Sequence, residues 1–208
     1  MDDGVSAVTE RFEITTTDGE TLEARWDSPE ESRFMTVFCH PSSVDGGSLM
    51  APLMIAVTQQ LVARGHAVLR FNFRGVGSST GEYGGGEAEL ADVDAAVSVA
   101  RDRSDAIGLA GWSFGAAVAM NWLIKNESEI PYAGIAPPAH LIDGKPPTGP
   151  QRIILGSRER VIDPEALKAF AIGNGIDLVI TPGDHFFHGR GKHIGDLVGE
   201  GLEAGEAG

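Results

Sequence analysis

A chain of 208 residues with 42% hydrophobic and 22% charged residues can bury one substantial core, and we expect a single domain over residues 1–208. The formal net charge of −14 excludes the basic surface that binding to nucleic acid or to an anionic membrane requires. Cys39 is the only cysteine, which excludes an internal disulfide. The first ten residues are acidic and no apolar run approaches about 18 residues, so we expect a cytoplasmic protein without a membrane span.

The first half of the chain predicts a hairpin followed by alternating strands and helices. Apolar and polar residues alternate on both sides of Asp18-Gly19, which predicts two antiparallel strands within residues 11–26. Continuous apolar runs predict buried strands, and apolar residues at helical spacing predict helices. The strands are expected at residues 34–39 and 67–73, and the helices at residues 51–64 and 87–101.

The second half continues the alternation. An apolar run from Ile107 passes through Gly111-Trp112-Ser113-Phe114-Gly115 into a helical pattern of small residues. Further strands are expected at residues 132–136, 152–155 and 177–181, and helices at residues 163–172 and 192–202. This order predicts an α/β fold with a doubly wound, mostly parallel sheet, whose ligands bind at the carboxyl ends of the strands. Residues 137–149 are too few for a cap domain.

The pattern G-x-S-x-G between a strand and a helix predicts a nucleophilic serine at position 113. A sharp turn there projects the hydroxyl clear of its neighbours, and Gly111 and Gly115 remove side chains that would collide with the turn. The competing interpretation is an ordinary glycine-rich turn, and the flanking strand and helix favour the nucleophile. We predict Ser113 as the nucleophile and the amide of Phe114 as one oxyanion donor.

Two loops after later strands offer a base and an acid for this serine. His185 stands closer to the preceding strand than His188, so we predict that His185 is the base. Glu159 and Asp163 compete for the role of the acid. Asp163 precedes a proline and has the pattern of a helix N-cap, which favours Glu159 and leaves Asp163 as the alternative. Because Pro41 lacks an amide hydrogen, we predict the Ser42 amide as the second oxyanion donor.

Other kinds of site are less well supported by the sequence. Asp184, His185 and His188 lie too close together in one loop to complete a zinc site without further ligands. The glycines at residues 75–77 suggest dinucleotide binding, but the third glycine comes at Gly81, one residue too late. We therefore predict neither a metal nor a cofactor. The remaining histidines that we expect on the surface are His66, His140 and His193.

Several segments together carry a resemblance to a known family. They are His40-Pro41 with Gly46-Gly47, RFNFRGVGS at residues 70–78, the elbow at residues 111–115, and DHFFHG at residues 184–189. The chain resembles the α/β-hydrolases, and among them the small, lidless bacterial serine hydrolases related to dienelactone hydrolase. The resemblance implies an eight-stranded sheet without a cap domain. By position it implies Ser113 as nucleophile, His185 as base, Glu159 where the family usually has aspartate, and donors at Ser42 and Phe114.

The sequence thus predicts a hydrolase of a small carboxylic ester or thioester that acts through an acyl-enzyme on Ser113. Dienelactone hydrolase itself has a cysteine nucleophile, so the resemblance does not carry that exact activity over to this chain. The expected partner is a small-molecule ester, and the natural substrate and oligomeric state stay open. Two alternatives remain: a peptidase that uses the same three residues, and a non-catalytic binding protein with the same fold.

Overall fold

The computed structural model describes residues 8–204, and within them one eight-stranded sheet carries α-helices on both faces. The strands are β1 (Val8–Thr15), β2 (Thr21–Ser28), β3 (Phe34–Cys39), β4 (His66–Phe71), β5 (Ile107–Trp112), β6 (Tyr132–Ile135), β7 (Gln151–Gly156) and β8 (Asp177–Thr181). The helices are α1 (Pro52–Ala63), α2 (Glu89–Arg101), α3 (Phe114–Lys125), α4 (Pro164–Asn174) and α5 (Gly191–Glu203). Among these residues no helix is both long and apolar enough to cross a membrane.

The strand order across the sheet is β1-β2-β4-β3-β5-β6-β7-β8. The β1–β2 hairpin and the β2–β4 pair are antiparallel, and all later neighbours are parallel. The predicted doubly wound, mostly parallel sheet is therefore confirmed, with strand and helix ends that differ from the predicted ends by a few residues. Because β3 to β8 run in the same direction, the loops after their carboxyl ends meet at one edge of the sheet.

Two apolar layers sandwich the sheet. Helices α2, α3 and α4 cover one face through buried residues such as Val93, Leu123 and Leu167. Helices α1 and α5 cover the other face through residues such as Leu61 and Val198. Every residue of β3, β4 and β5 is buried, which explains why these strands are mostly apolar rather than alternating between apolar and polar residues.

The edge that carries the carboxyl ends of the strands is not covered by an inserted domain. The connection between β6 and β7, residues 136–150, contains a single 3₁₀ turn at Ala139–Leu141. The loop after β3 is also short and contains a 3₁₀ turn at Ser43–Asp45. This edge is therefore open to solvent, as the absence of a cap in the sequence predicted.

His66 corrects one expectation, because it is 2% exposed rather than a surface residue. It begins β4 opposite Phe34 of β3, and helix α5 covers it. Its Nδ1 lies 2.8 Å from the Thr36 hydroxyl, and its Nε2 lies 2.9 Å from the Glu203 carboxylate. The histidine is buried because its polar partners come from two other elements, and one of them lies 137 residues later in the chain.

Candidate active site

The turn between β5 and α3 holds Ser113 in an unusual backbone conformation. Its φ of 52° and ψ of −120° lie outside the regions that non-glycine residues ordinarily occupy. The Ser113 amide donates a 2.7 Å hydrogen bond to the carbonyl of Ile135, which anchors the turn to β6. Strain of this kind persists only where the surrounding packing holds it, and it is concentrated at functional sites.

The glycines on either side of Ser113 are required by close backbone packing. A Cβ atom on Gly111 would lie 2.5 Å from the backbone nitrogen of Ala116. A Cβ atom on Gly115 would lie 2.2 Å from the carbonyl oxygen of His40. The spacing of the motif thus allows the start of α3 to pack directly against the loop after β3, which brings that loop next to Ser113.

His185 and Glu159 form a buried pair at the same edge of the sheet. The Nδ1 atom of His185 lies 2.8 Å from Oε2 of Glu159, and the Glu159 side chain has no solvent exposure. The other carboxylate oxygen, Oε1, accepts hydrogen bonds from the amides of Arg160 and Val161 at 2.8 and 2.7 Å. Burial raises the pKa of Glu159, but the hydrogen bonds from His185 and from these loop amides outweigh it and hold the pKa below its ordinary value. The carboxylate is therefore ionised and faces the imidazole.

Asp163 has a different environment. Its Oδ1 accepts hydrogen bonds from the amides of Glu165 and Ala166, both at 3.0 Å, at the start of α4. This is the N-cap arrangement that the Asp-Pro-Glu sequence predicts. The structure brings Glu159 to His185, whereas the Asp163 carboxylate caps α4.

The loop that carries His185 is fixed by contacts on both sides. The indole nitrogen of Trp112 donates a 3.1 Å hydrogen bond to the carbonyl of His185. The carboxylate of Asp184 accepts from the amides of Phe186 and Phe187 at 3.1 and 3.2 Å. Asp184 thus holds the backbone of its own loop. Within residues 8–204 no group of three or more His, Cys, Asp or Glu side chains is placed to hold a metal ion.

The two predicted oxyanion donors lie at the starts of helical segments. Phe114 is the first residue of α3, so its amide belongs to the group of N-terminal amides that lack an intrahelical partner. Ser42 immediately precedes the 3₁₀ turn, and its carbonyl accepts the amide of Gly47 at 2.8 Å. A Cβ atom on Gly47 would lie 2.3 Å from the carbonyl oxygen of Pro41, so only glycine allows this tight fold of the loop.

His40 fastens the same loop to the residues that follow β4. Its Nε2 accepts the amide of Phe73 at 3.0 Å, so the ring proton of the neutral imidazole is on Nδ1, which donates to the carbonyl of Pro41 at 2.6 Å. Burial lowers the pKa of His40 to about 4, against the opposite effect of the hydrogen bond to Pro41. The neutral ring therefore holds the backbone at Pro41, directly before Ser42 in the loop after β3.

The titration of His40 makes the stability of the protein depend on pH. Because the pKa of His40 is about 4 in the folded chain and about 6.5 in the unfolded chain, the unfolded chain binds the proton first as pH falls. The contribution of His40 to the free energy of unfolding is fully present above about pH 6.5. We expect about 2–3 kcal/mol of this contribution to be lost by about pH 4.5. Urea unfolding at several pH values measures this loss.

A matched pair of variants isolates that contribution. His40→Gln removes the titration while offering an oxygen to the Phe73 amide, so its stability should fall less steeply over the same pH range. His193→Gln, at an exposed histidine of α5, should keep the wild-type slope. Equal slopes in wild type and His40→Gln would contradict a neutral, buried His40.

One cleft of about 410 Å³ connects these groups. Its lining residues are Pro41, Ser42, Asp45, Gly46, Gly47, Ala51, Pro52, Trp112, Ser113, Val161, His185 and Phe186. Exposed apolar side chains stand at its rim, since Val161 is 60% exposed and Phe186 is 47% exposed. The cleft thus combines a serine on a strained turn, a histidine paired with a carboxylate, and an apolar entrance.

Comparisons with known proteins agree with this architecture. Residues 36–190, which are most of the chain, match the model of the alpha/beta hydrolase family. The chain belongs to the α/β-hydrolase family. Among curated proteins, this α/β-hydrolase is 27% identical over 180 residues to the uncharacterized protein RP471 of Rickettsia prowazekii, covering 78% of this chain and 76% of that protein.

Solved structures of other proteins are similar to this α/β-hydrolase over nearly its whole length. XC6422 from Xanthomonas campestris, described as an α/β serine hydrolase without a lid, is 29% identical with a TM-score of 0.80, covering 95% of this chain and 93% of that one. An α/β serine hydrolase homologue from Coxiella burnetii is also 29% identical, with a TM-score of 0.82 and coverage of 93% and 97%. These similarities support a lidless fold and a hydrolase.

The roles of two residues of the α/β-hydrolase site were not predicted, although both stand in segments that the sequence singled out. The indole of Trp112 donates to the backbone of the His185 loop, and His40 bonds both to the loop after β3 and to the amide of Phe73 just after β4. The sequence feature that could have indicated the role of Trp112 is its place beside Ser113, where a bulky residue can reach a neighbouring loop. His40 stands at the end of a strand beside a predicted oxyanion donor, and its partner Phe73 is 33 residues away.

Proposed function

We propose that this α/β-hydrolase cleaves a small carboxylic ester or thioester through an acyl-enzyme on Ser113. The observation that carries the proposal is the 2.8 Å contact between the buried Glu159 carboxylate and His185, which lines the same cleft as Ser113. A histidine oriented by a carboxylate beside a serine on a strained turn is the arrangement that activates a hydroxyl for attack on a carbonyl.

The proposed reaction follows from the free ring nitrogen of His185. Because Nδ1 faces Glu159, Nε2 is the nitrogen available to take the proton from the Ser113 hydroxyl as its oxygen attacks the carbonyl carbon. Glu159 stabilises the imidazolium that forms. The amides of Ser42 and Phe114 hold the negative oxygen of the tetrahedral intermediate. The imidazolium then protonates the leaving alkoxide or thiolate, and water activated by the same histidine releases the acid and restores Ser113.

The cleft also bears on the size of the substrate. Its volume of about 410 Å³ and its open edge suit an ester with a short acyl chain or a bulky group that extends into solvent. The exposed side chains of Val161 and Phe186 offer apolar contact at the entrance. We therefore expect p-nitrophenyl acetate or butyrate to be turned over.

The proposal is tested by labelling the purified protein with a fluorophosphonate, which forms a stable phosphonyl ester on an activated serine and releases fluoride. Mass spectrometry of the digested protein should locate the adduct on Ser113, and p-nitrophenyl acetate turnover should disappear in proportion to labelling. Circular dichroism establishes that the sample is folded. A folded protein with neither labelling nor turnover would overturn the enzymatic function and favour a binding protein with this fold.

A further inference from the structure

The charges that line the cleft are unevenly distributed. Beyond the proposed catalytic residues, the charged side chain in its lining is Asp45, at the end of the 3₁₀ turn that follows Ser42. The Asp45 amide donates to the Ser42 carbonyl at 3.3 Å, so this carboxylate belongs to the same compact turn as the proposed oxyanion donor. Arg158 and Arg160, in the loop that holds Glu159, are exposed and lie outside the lining. A substrate in the cleft therefore faces an acidic group.

The negative charge of Asp45 also acts on Tyr83, whose ring packs beside the elbow. Tyr83, which is 44% exposed, packs its ring 5.6 Å from that of Phe114 beside the elbow. Burial raises the pKa of the Tyr83 hydroxyl, and the negative charges of Glu89 and Asp45 raise it further. The negative charge of Asp45 thus acts on a ring that packs against Phe114, the residue after Ser113.

The other groups at the entrance suit a positively charged substrate as well. Trp112 lines the cleft, and the exposed ring of Phe186 packs edge-on against it at 6.3 Å between ring centroids. The faces of aromatic rings attract cations, tryptophan most strongly. An ammonium group near these rings would also be attracted by the Asp45 carboxylate, whereas a carboxylate on the substrate would be repelled.

We propose that Asp45 makes the cleft select esters that carry a cationic group over neutral esters of the same shape, and both over esters that carry an anionic group. This inference rests on the proposed ester hydrolysis and names the substrate class of that site. In water, a unit charge on the ester about 6 Å from the carboxylate should raise or lower kcat/KM about threefold, according to its sign. The cationic and anionic esters should therefore differ about tenfold in kcat/KM. Salt should reduce the difference, because Asp45 is exposed.

The experiment measures kcat/KM for two matched series of esters. In the first, charge is on the alcohol: acetylcholine, its neutral isostere 3,3-dimethylbutyl acetate, and the acetate ester of hydroxypropanesulfonate. In the second, charge is on the acyl group: the p-nitrophenyl ester of trimethylammonio-butanoate beside its neutral tert-butyl analogue. We expect a preference of about threefold for the cation over the neutral ester in the series whose charged group lies near Asp45, falling as salt is raised.

Three variants separate the effect of Asp45 from that of the overall charge of the protein. Asp45→Asn should bring the cation-to-neutral ratio close to one, and Asp45→Lys should reverse it. Asp105→Asn changes the net charge equally but lies just before β5, at the end of that strand opposite Ser113, and should keep the wild-type ratio. If neutral esters are turned over but neither series shows a preference for charge, this inference alone is overturned. The same holds if the preference survives in Asp45→Asn. Absence of turnover for every ester would instead overturn the proposed function.

Discussion

Replacing Ser113 with alanine is expected to lower kcat for p-nitrophenyl acetate by about 10⁵-fold and to abolish fluorophosphonate labelling. The change removes the Oγ atom, so His185 has no hydroxyl to deprotonate and no acyl-enzyme can form. Residual turnover should come from the oxyanion donors and the cleft, which can still position water. Turnover of the neutral ester and adduct formation measure the effect, in preparations matched for the concentration of folded protein.

The matched control for this variant is Ser98→Ala, which makes the same substitution at an exposed position of α2. It should keep wild-type turnover and labelling, because Ser98 lies outside the cleft lining. Equal melting temperatures for the two variants and the wild type would establish that Ser113→Ala is folded. Substantial labelling of a folded Ser113→Ala protein would show that another residue is the nucleophile.

The parts of the fold that could be predicted from sequence are those set by local pattern. Strands β3, β4 and β5 are buried along their whole length, so their sequences are mostly apolar and easily recognised. The elbow could be predicted because two glycines are needed within five residues, where Gly115 meets the carbonyl of His40 and Gly111 meets the backbone of Ala116. Each of these patterns, the apolar strand and the glycine spacing of the elbow, can be recognised within its own short segment of sequence.

Features that depend on distant partners could not be predicted in the same way. Glu89 and Asp92 have the pattern of surface acids in the first turn of a helix, yet both are fully buried. Glu89 accepts the amides of Gly84 and Gly86, and Asp92 pairs with Arg74 at 2.7 Å. The loop between β4 and α2 folds back over these carboxylates, which a helical pattern does not indicate. The burial of His66 depends in the same way on α5.

Substitutions of the two candidate acids are expected to separate catalysis from stability. Glu159→Gln should lower kcat about 10⁴-fold with little change in melting temperature. The glutamine oxygen can still accept the amides of Arg160 and Val161, which preserves the loop. Its NH₂ group then points at Nδ1 of His185 and donates to it, so the ring proton moves to Nε2. A histidine in that tautomer cannot accept the proton of Ser113.

Asp163 should give the opposite result. Asp163→Ala removes the oxygen that caps α4, and we expect a loss of about 1 kcal/mol in the free energy of unfolding with turnover close to the wild-type value. Asp163→Asn should change neither property much, because asparagine is an equally good N-cap. Urea unfolding and ester turnover on all three variants measure both properties. If Asp163→Asn lost turnover while Glu159→Gln kept it, the orienting acid would be Asp163, and the pair at 2.8 Å would only hold the loop of His185 in place.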